Sequence, residues 1–259
     1  MRICKNLFLI VLLFNSVPLQ AKDFFANESY EKSKTALFTE VYKTNRKSFY
    51  CELEFDKDNT VKIPDWFDAS KISSRVEKIE IEHLIPAEEF GGYIKQWWYG
   101  DKNCIDKNNV EYKGRKCAEK TSQIFRLMQS DLYNLYPAVG SINALRGNFD
   151  FTEFPSNVPS IFNNCLFKIA DAHVEPADHA KGVIARTYFY FENQYPFFKI
   201  DEKQKKLFLK WNIKFPVTEW ECLRTYRIEK IQSNENKITK TQCIDKGLWP
   251  NMKKGKKHD

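Results

Sequence analysis

Beyond the first two dozen residues the sequence has no apolar stretch long enough to cross a bilayer as a helix. It also has no internal repeat, low-complexity tract or Pro/Gly/Ser-rich linker, with only 9 glycines and 10 prolines in 259 residues. One substantial domain is therefore expected rather than a string of small ones. No Cys-x-x-Cys pair occurs, which removes the usual basis for a thiolate metal site. The pattern of two histidines four apart around a glutamate, which would hold zinc in a protease, is absent too. No recognition-helix or base-reading motif is present, so a sequence-specific nucleic-acid binder is not indicated.

What the chain does have begins at its N-terminus. Arg2 and Lys5 precede the apolar run Leu7–Phe14, and Leu19-Gln20-Ala21 supplies small-residue cleavage chemistry. This is the layout of a secretory signal peptide over residues 1–21, with an uncleaved membrane anchor as the competing reading. Cleavage removes Arg2 and Lys5 and no acid, so the formal charge falls from +7 to about +5. The mature chain is then expected to be exported, periplasmic or secreted, and free of the membrane. Of seven cysteines Cys4 leaves with the signal, and the even remainder, Cys51, Cys104, Cys117, Cys165, Cys222 and Cys243, favours disulfides. Six are too few to replace a core, and the 15% aromatic content indicates a core that they staple. The body is expected over 22–250, followed by a basic tail at 251–259.

The order of elements reads as α+β, mainly helical with a small sheet. Leu37–Tyr42 and Phe49–Phe55 open the globular part, with a turn at Lys57-Asp58-Asn59. Ser74–Leu84 alternates, with Val76, Ile79 and Ile81 apolar, and predicts a strand. Asp101–Lys120 is polar and reads as a long loop. Pro137 is placed at the first position of a short helix carrying Ala138–Leu145, closed by Gly147. Helices are expected at Ala177–Phe191, at Glu202–Trp211, and from a Thr218…Glu221 capping box through Ile231.

Four histidines are present. His258 lies in the tail, and His173 and His179 lie in a polar stretch without a partner motif, so surface or structural roles are expected for all three. His83 differs because Glu82 adjoins it in "IEIEHLIPAEEFGG", residues 79–92. Neighbours on a strand point to opposite faces, so the pair alone is weak support for a shared pocket. A second segment, Ser130–Phe151, is rich in amides: Asn134, Asn143 and Asn148, with Arg146 beside Gly147. Asn143 falls where a better helix former would serve, which suggests either another job or simple solvent exposure.

"IEIEHLIPAEEFG" followed by "SDLYNLYPAVGSINALRGNF" resembles the bacterial endonuclease I family of periplasmic and secreted nucleases. "GVIARTYFYFENQY" and "LFLKWNIKFPVTEWECLRTYRIEKIQ" extend the likeness, which covers Phe49–Cys243 in order. The resemblance implies a ββα-metal (His-Me finger) site and an endonuclease of low sequence specificity that acts on DNA and RNA and leaves 5′-phosphates. It further implies His83 as general base, and Glu82 and Asn143 as ligands of one Mg²⁺ that Mn²⁺ could replace. One carboxylate and one amide leave most positions of such a hard cation to water and phosphate. A histidine suits activation of the attacking water, and the metal suits charge compensation. Arg115 matches the arginine that holds the scissile phosphate. Lys102 competes if the alignment follows "YGDKNC", and Arg146 could touch phosphate or hold its helix. Gln129 replaces a glutamate common in relatives. The resemblance also implies the pairs Cys51–Cys165, Cys104–Cys117 and Cys222–Cys243, and a monomer. The alternative is an exported basic nucleic-acid-binding protein without turnover.

Overall fold

The structure, a computed structural model, describes residues 27–67 and 75–250. The expected signal segment and the basic tail with His258 lie outside the described residues. Helix α1, Tyr30–Ala36, starts at Ser29, whose hydroxyl accepts the Lys32 N–H, and runs into a π-helical turn at Leu37–Val41. The turn at Lys57–Asp58 is held by Asp56 Oδ1, which accepts the N–H groups of Asp58 and Thr60 at 2.9 Å each. Strand β1, Ile79–His83, lies inside the expected strand.

Next come short helices α2 (Ala87–Gly91) and α3 (Lys95–Tyr99), then α4 (Arg115–Thr121) and α5 (Gln123–Ser130). The expected Asp101–Lys120 loop is thus a loop only as far as Gly114. Arg115 opens a helix because Cys117 and Ala118 are apolar on its inner face and fully buried.

Strand β2, Leu135–Val139, corrects the reading of Pro137 as a helix start. All five of its residues are buried, and they pair antiparallel with β1 from Ile79↔Val139 to His83↔Leu135. The carbonyl of Pro137 accepts the Phe49 N–H at 2.7 Å, away from β1. The N–H and C=O of one strand residue point the same way, so the missing proline donor costs no bond in the ladder. Helix α6 begins only at Gly140 and ends at Arg146, with Gly147 in the left-handed region (φ +53°) closing it as expected.

Three short strands form a second sheet: β3 (Asp150–Phe151), β4 (Lys168–Ala170) and β5 (His173–Glu175), in the order β3-β5-β4. His173 is therefore a strand residue and His179 a first-turn helix residue, not members of one loop. The structural role expected for His179 fits its 2.8 Å bond to the Phe49 carbonyl.

The C-terminal half is helical: α7 (Asp178–Gln194), α8 (Glu202–Lys214), α9 (Glu219–Gln232) and α10 (Lys237–Asp245). Ile184, Tyr188 and Phe191 on α7 join one continuous core that runs from Leu37 to Ile228. At the α9 start Thr218 Oγ1 accepts the Glu221 N–H at 3.2 Å. Glu221 does not complete the reciprocal half of the box. Its carboxylate is taken by Arg186 in a buried two-pronged pair, Nε and Nη2 each at 2.6 Å.

The backbone of α7 meets the end of α8 at Gly182. A Cβ there would sit 2.0 Å from the Phe215 carbonyl oxygen and 2.8 Å from Arg186 Nη2. Gly182→Ala is therefore expected to cost more than about 3 kcal/mol, above the usual overpacking range, because the atom it meets is a backbone carbonyl that cannot swing away. Gly247→Ala, where no atom lies within 4 Å of the added carbon, is expected to show only the cost of a positive φ. Thermal unfolding of the two variants checks this, and equal midpoints would sink it.

All three expected disulfides are present: Cys51–Cys165, Cys104–Cys117 and Cys222–Cys243. The first ties the segment before β1 to the one after α6. The second closes the insertion between α3 and α4. The third anchors α10 to α9.

Candidate active site

β1, β2 and α6 form a compact unit because the chain turns from strand to helix without spare length. Gly140 N–H bonds to the Lys78 carbonyl at 2.8 Å, and a Cβ on Gly140 would lie 2.7 Å from Glu80 Oε1 and 2.9 Å from the Arg75 carbonyl. Only glycine allows this approach, which sets α6 beside β1. The other end of β1 is fixed by Asn134. Its side chain accepts the Ile85 N–H at 2.8 Å and donates to the Ile85 carbonyl at 3.0 Å, clasping the chain two residues past His83.

Glu80 and Glu82 lie two apart on β1 and so share the face that α6 covers. Glu82 is buried. Its Oε1 accepts the Tyr50 hydroxyl at 2.7 Å and lies 3.4 Å from Arg146 Nε. Burial raises its pKa to about 7, against the lowering effects of Arg146 and of Tyr50. Asn143 donates from Nδ2 to Glu80 Oε2 at 3.2 Å, so its bond is to Glu80 and not to Glu82. Glu80 also pairs with Arg75, which with the Asn143 bond holds its pKa below the ordinary value.

Arg146 is 1% exposed, and its contacts are those of a residue that holds the helix. It donates to the Leu84 carbonyl at 2.7 Å and to the Gly147 carbonyl at 3.0 Å, and its guanidinium lies over the Phe151 ring.

His83 points to the opposite face from Glu82, as strand alternation requires. Its Nε2 lies 2.9 Å from the Gln129 carbonyl, and its ring stacks on Tyr30 with centroids 5.5 Å apart. A carbonyl can only accept, so Nε2 carries the proton and Nδ1 is the basic nitrogen. Burial first of all lowers the His83 pKa to about 4. The Gln129 carbonyl opposes that shift, and the charges of Arg115 and Arg146 add to it. The imidazole is therefore neutral at neutral pH, the form a base needs.

Gln129 also links His83 to α4. Its Nε2 donates to Glu119 Oε1 at 2.9 Å, while its buried Oε1 has no partner among the described residues. Arg115 lies one turn before Glu119 on that helix, exposed and without a hydrogen bond or ion pair among the described residues. Lys102 is exposed in the loop before it.

The donor chemistry fits a hard divalent cation on the α6 side of β1. Glu82 Oε2 and Asn143 Oδ1 carry no hydrogen bond among the described residues, and the raised Glu82 pKa describes a carboxylate that a nearby cation would return to its charged form. No group of three or more His, Cys, Asp or Glu side chains placed to hold a metal ion occurs among the described residues. A site of one carboxylate and one amide needs none. The structure thus brings Glu82, Asn143 and Arg146 to one side of β1 and His83, Gln129 and Tyr30 to the other, with Arg115 on α4. Tyr50, Glu80 and Glu119 were not singled out from sequence. For Glu80 the signal was available, since "IEIE" places it on the face of Glu82.

Comparison with known proteins gives the class first: the chain is a nuclease. More closely, it belongs to the Endonuclease I family, whose model matches residues 20–242. It is 34% identical over 255 residues to the Endonuclease-1 of Buchnera aphidicola subsp. Baizongia pistaciae, covering 92% of this chain and 95% of that one. It is 32% identical over 238 residues to a periplasmic deoxyribonuclease of Aeromonas hydrophila, covering 89% and 92%. A part-length match, 29% over 143 residues and 47% of each chain, is to an extracellular ribonuclease of Bacillus subtilis.

Proposed function

We propose that the protein is an exported, Mg²⁺-dependent endonuclease of low sequence specificity that hydrolyses DNA, and RNA as well, to 5′-phosphate products. The observation that carries this reading is His83: buried, neutral, and held by the Gln129 carbonyl so that Nδ1 is free to take a proton, on the strand that also bears Glu82. Glu82 and Asn143 would hold the cation, which when bound supplies charge compensation at phosphorus and at the departing 3′ oxygen. His83 takes the proton of the attacking water through Nδ1 and keeps its orientation through Nε2. Arg115, free at the α4 start, pairs with the non-bridging oxygens of the scissile phosphate. Lys102 is the alternative cation for that role. Export is supported by the signal-like residues 1–21, by three disulfides, and by a relative named as periplasmic. The RNA reading leans on the partial likeness to a protein named as a ribonuclease.

Supercoiled plasmid incubated with the oxidised mature chain and Mg²⁺ is expected to be nicked and then linearised, with EDTA blocking both steps. Binding without cleavage under any divalent metal would instead support the reading of a nucleic-acid-binding protein that lacks turnover.

Asn143→Ala tests the metal assignment without relying on activity. Mn²⁺ titrated calorimetrically into the oxidised protein is expected to bind at least about tenfold more weakly to the variant, since even the loss of a group that only supports a ligand costs about 10–100-fold in metal affinity. The helix should survive, because alanine is the better helix former. Equal Mn²⁺ affinity in the variant and its parent would remove Asn143 from the metal site.

A further inference from the structure

We propose that the exposed aromatic rings of α3, Trp98 and Tyr99, are a stacking platform for unpaired bases, beside a cationic track formed by Lys95, Lys113 and Lys116. The proposal rests on the nuclease reading and adds to it a preference for single-stranded nucleic acid. Tyr99 is 81% exposed and Trp98 52% exposed, on a helix of five residues. Large rings so open on a folded chain mark an interaction surface when they cluster.

Their placement is not loose. Trp98 Nε1 donates to the Gly92 carbonyl at 2.8 Å, which fixes a half-exposed indole at the surface. The preceding Trp97 supplies the anchor. It packs on Phe125 and lies against Gly91, where an added Cβ would come within 2.3 Å of its ring. The Trp97 carbonyl accepts the Gly114 N–H at 3.0 Å, so α3 is pinned to the start of α4. The Cys104–Cys117 disulfide closes the loop between them. α3 and α4 thus present the two rings and Arg115 on one supported unit, and the Glu119–Gln129–His83 chain of bonds ties that unit to the general base.

The charge on this unit suits a polyanion. Residues 93–120 hold seven Lys and Arg against four Asp and Glu. The four acids keep their charge, although three are held locally: Asp101 by Asn103, Asp106 by the N–H groups of Asn108 and Val110, and Glu119 by Gln129. The segment therefore has a formal net charge of +3, seven less four. Lys95, Lys113 and Lys116 are exposed and in no ion pair among the described residues. Interleaved aromatic rings and free cations are how single strands are held without sequence readout: the cations follow the backbone, and each ring takes the face of a base. A paired duplex buries those faces, so the rings would gain nothing from it. That difference decides the substrate form. An anionic membrane surface could also attract lysines and aromatics, and the test separates the two.

Binding of labelled dT20 and of a 20-base-pair duplex is measured by fluorescence anisotropy in EDTA, with gels confirming intact oligonucleotide. Trp98→Ala/Tyr99→Ala is expected to weaken dT20 binding by about tenfold or more, as lost base stacking does, with the duplex affected by less than about threefold. Its salt dependence for dT20 should keep the parent slope. Lys95→Ala/Lys116→Ala is expected to lower that slope by roughly 0.7 for each phosphate that is no longer neutralised. Circular dichroism and thermal unfolding show that each variant is folded. Unchanged dT20 affinity in the aromatic variant, or equal weakening for both substrates, would overturn the platform. So would loss of binding to phosphatidylglycerol vesicles with dT20 binding intact. If the parent binds neither oligonucleotide and leaves plasmid uncut with Mg²⁺, the nuclease reading itself has failed.

Discussion

His83→Ala is expected to reduce phosphodiester cleavage by roughly two to four orders of magnitude, the usual worth of a positioned general base. Affinity for nucleic acid should stay close to that of the parent. In the proposed mechanism Nδ1 acts on water only in the transition state, whereas binding would draw on many phosphate contacts elsewhere on the surface. The substitution also leaves the buried Gln129 carbonyl without the Nε2–H donor, for which a stability cost of about 1–3 kcal/mol is expected. Single-turnover cleavage and anisotropy titrations should therefore be run well below the unfolding midpoint of the variant. Cleavage near the parent rate in a clean preparation would take His83 out of the mechanism. Addition of free imidazole gives a second readout, because a small base diffusing into the vacated space should restore part of the rate.

Arg146→Ala is expected to have the largest effect on stability, about 3–5 kcal/mol, as when one partner of a buried charge pair is removed. The Arg146 and Glu82 side chains are 1% and 3% exposed, with Nε 3.4 Å from Oε1. Removing the guanidinium strands the carboxylate and also takes donors from the Leu84 and Gly147 carbonyls. Because Arg146 is among the groups that hold the Glu82 pKa down, its loss should push that pKa above about 7 and favour the protonated acid. Glu82→Gln in the Arg146→Ala background should then recover part of the loss, since the charge no longer has to be buried. Denaturant unfolding of the four proteins forms the required cycle. Additive losses from the two substitutions would mean that the pair is not coupled.

Much of this fold was legible in the sequence. Period-two alternation gave β1, and the Thr218 cap gave α9 because a hydroxyl three residues before a glutamate is a local signal. Pro137 misled because its local meaning at a helix start was outweighed by tertiary pairing with β1, a partner far away in sequence. α2 and α3, five residues each, are too short to show a helical period. Of the site, Glu82, His83, Asn143 and Arg115 were named from family likeness. That Asn143 bonds Glu80, that Tyr50 reaches Glu82, and that the Gln129 backbone selects the His83 tautomer depend on which segments meet, and no spacing within one segment encodes them.

The pairing of β1 with β2 has a consequence for when the protein becomes dangerous to its maker. The two strands flank residues 84–134, which carry four α-helices and a disulfide of their own. Closing a loop of that length costs chain entropy before any strand contact repays it, so this pairing is expected among the late events of folding. His83 and Glu82, the proposed base and one proposed ligand, leave the ribosome with the first strand. Asn143, the second proposed ligand, follows only with α6, and Cys165, which locks Cys51 beside Tyr50, comes later still. A nascent or half-translocated chain therefore holds the parts of a cutting site without the site.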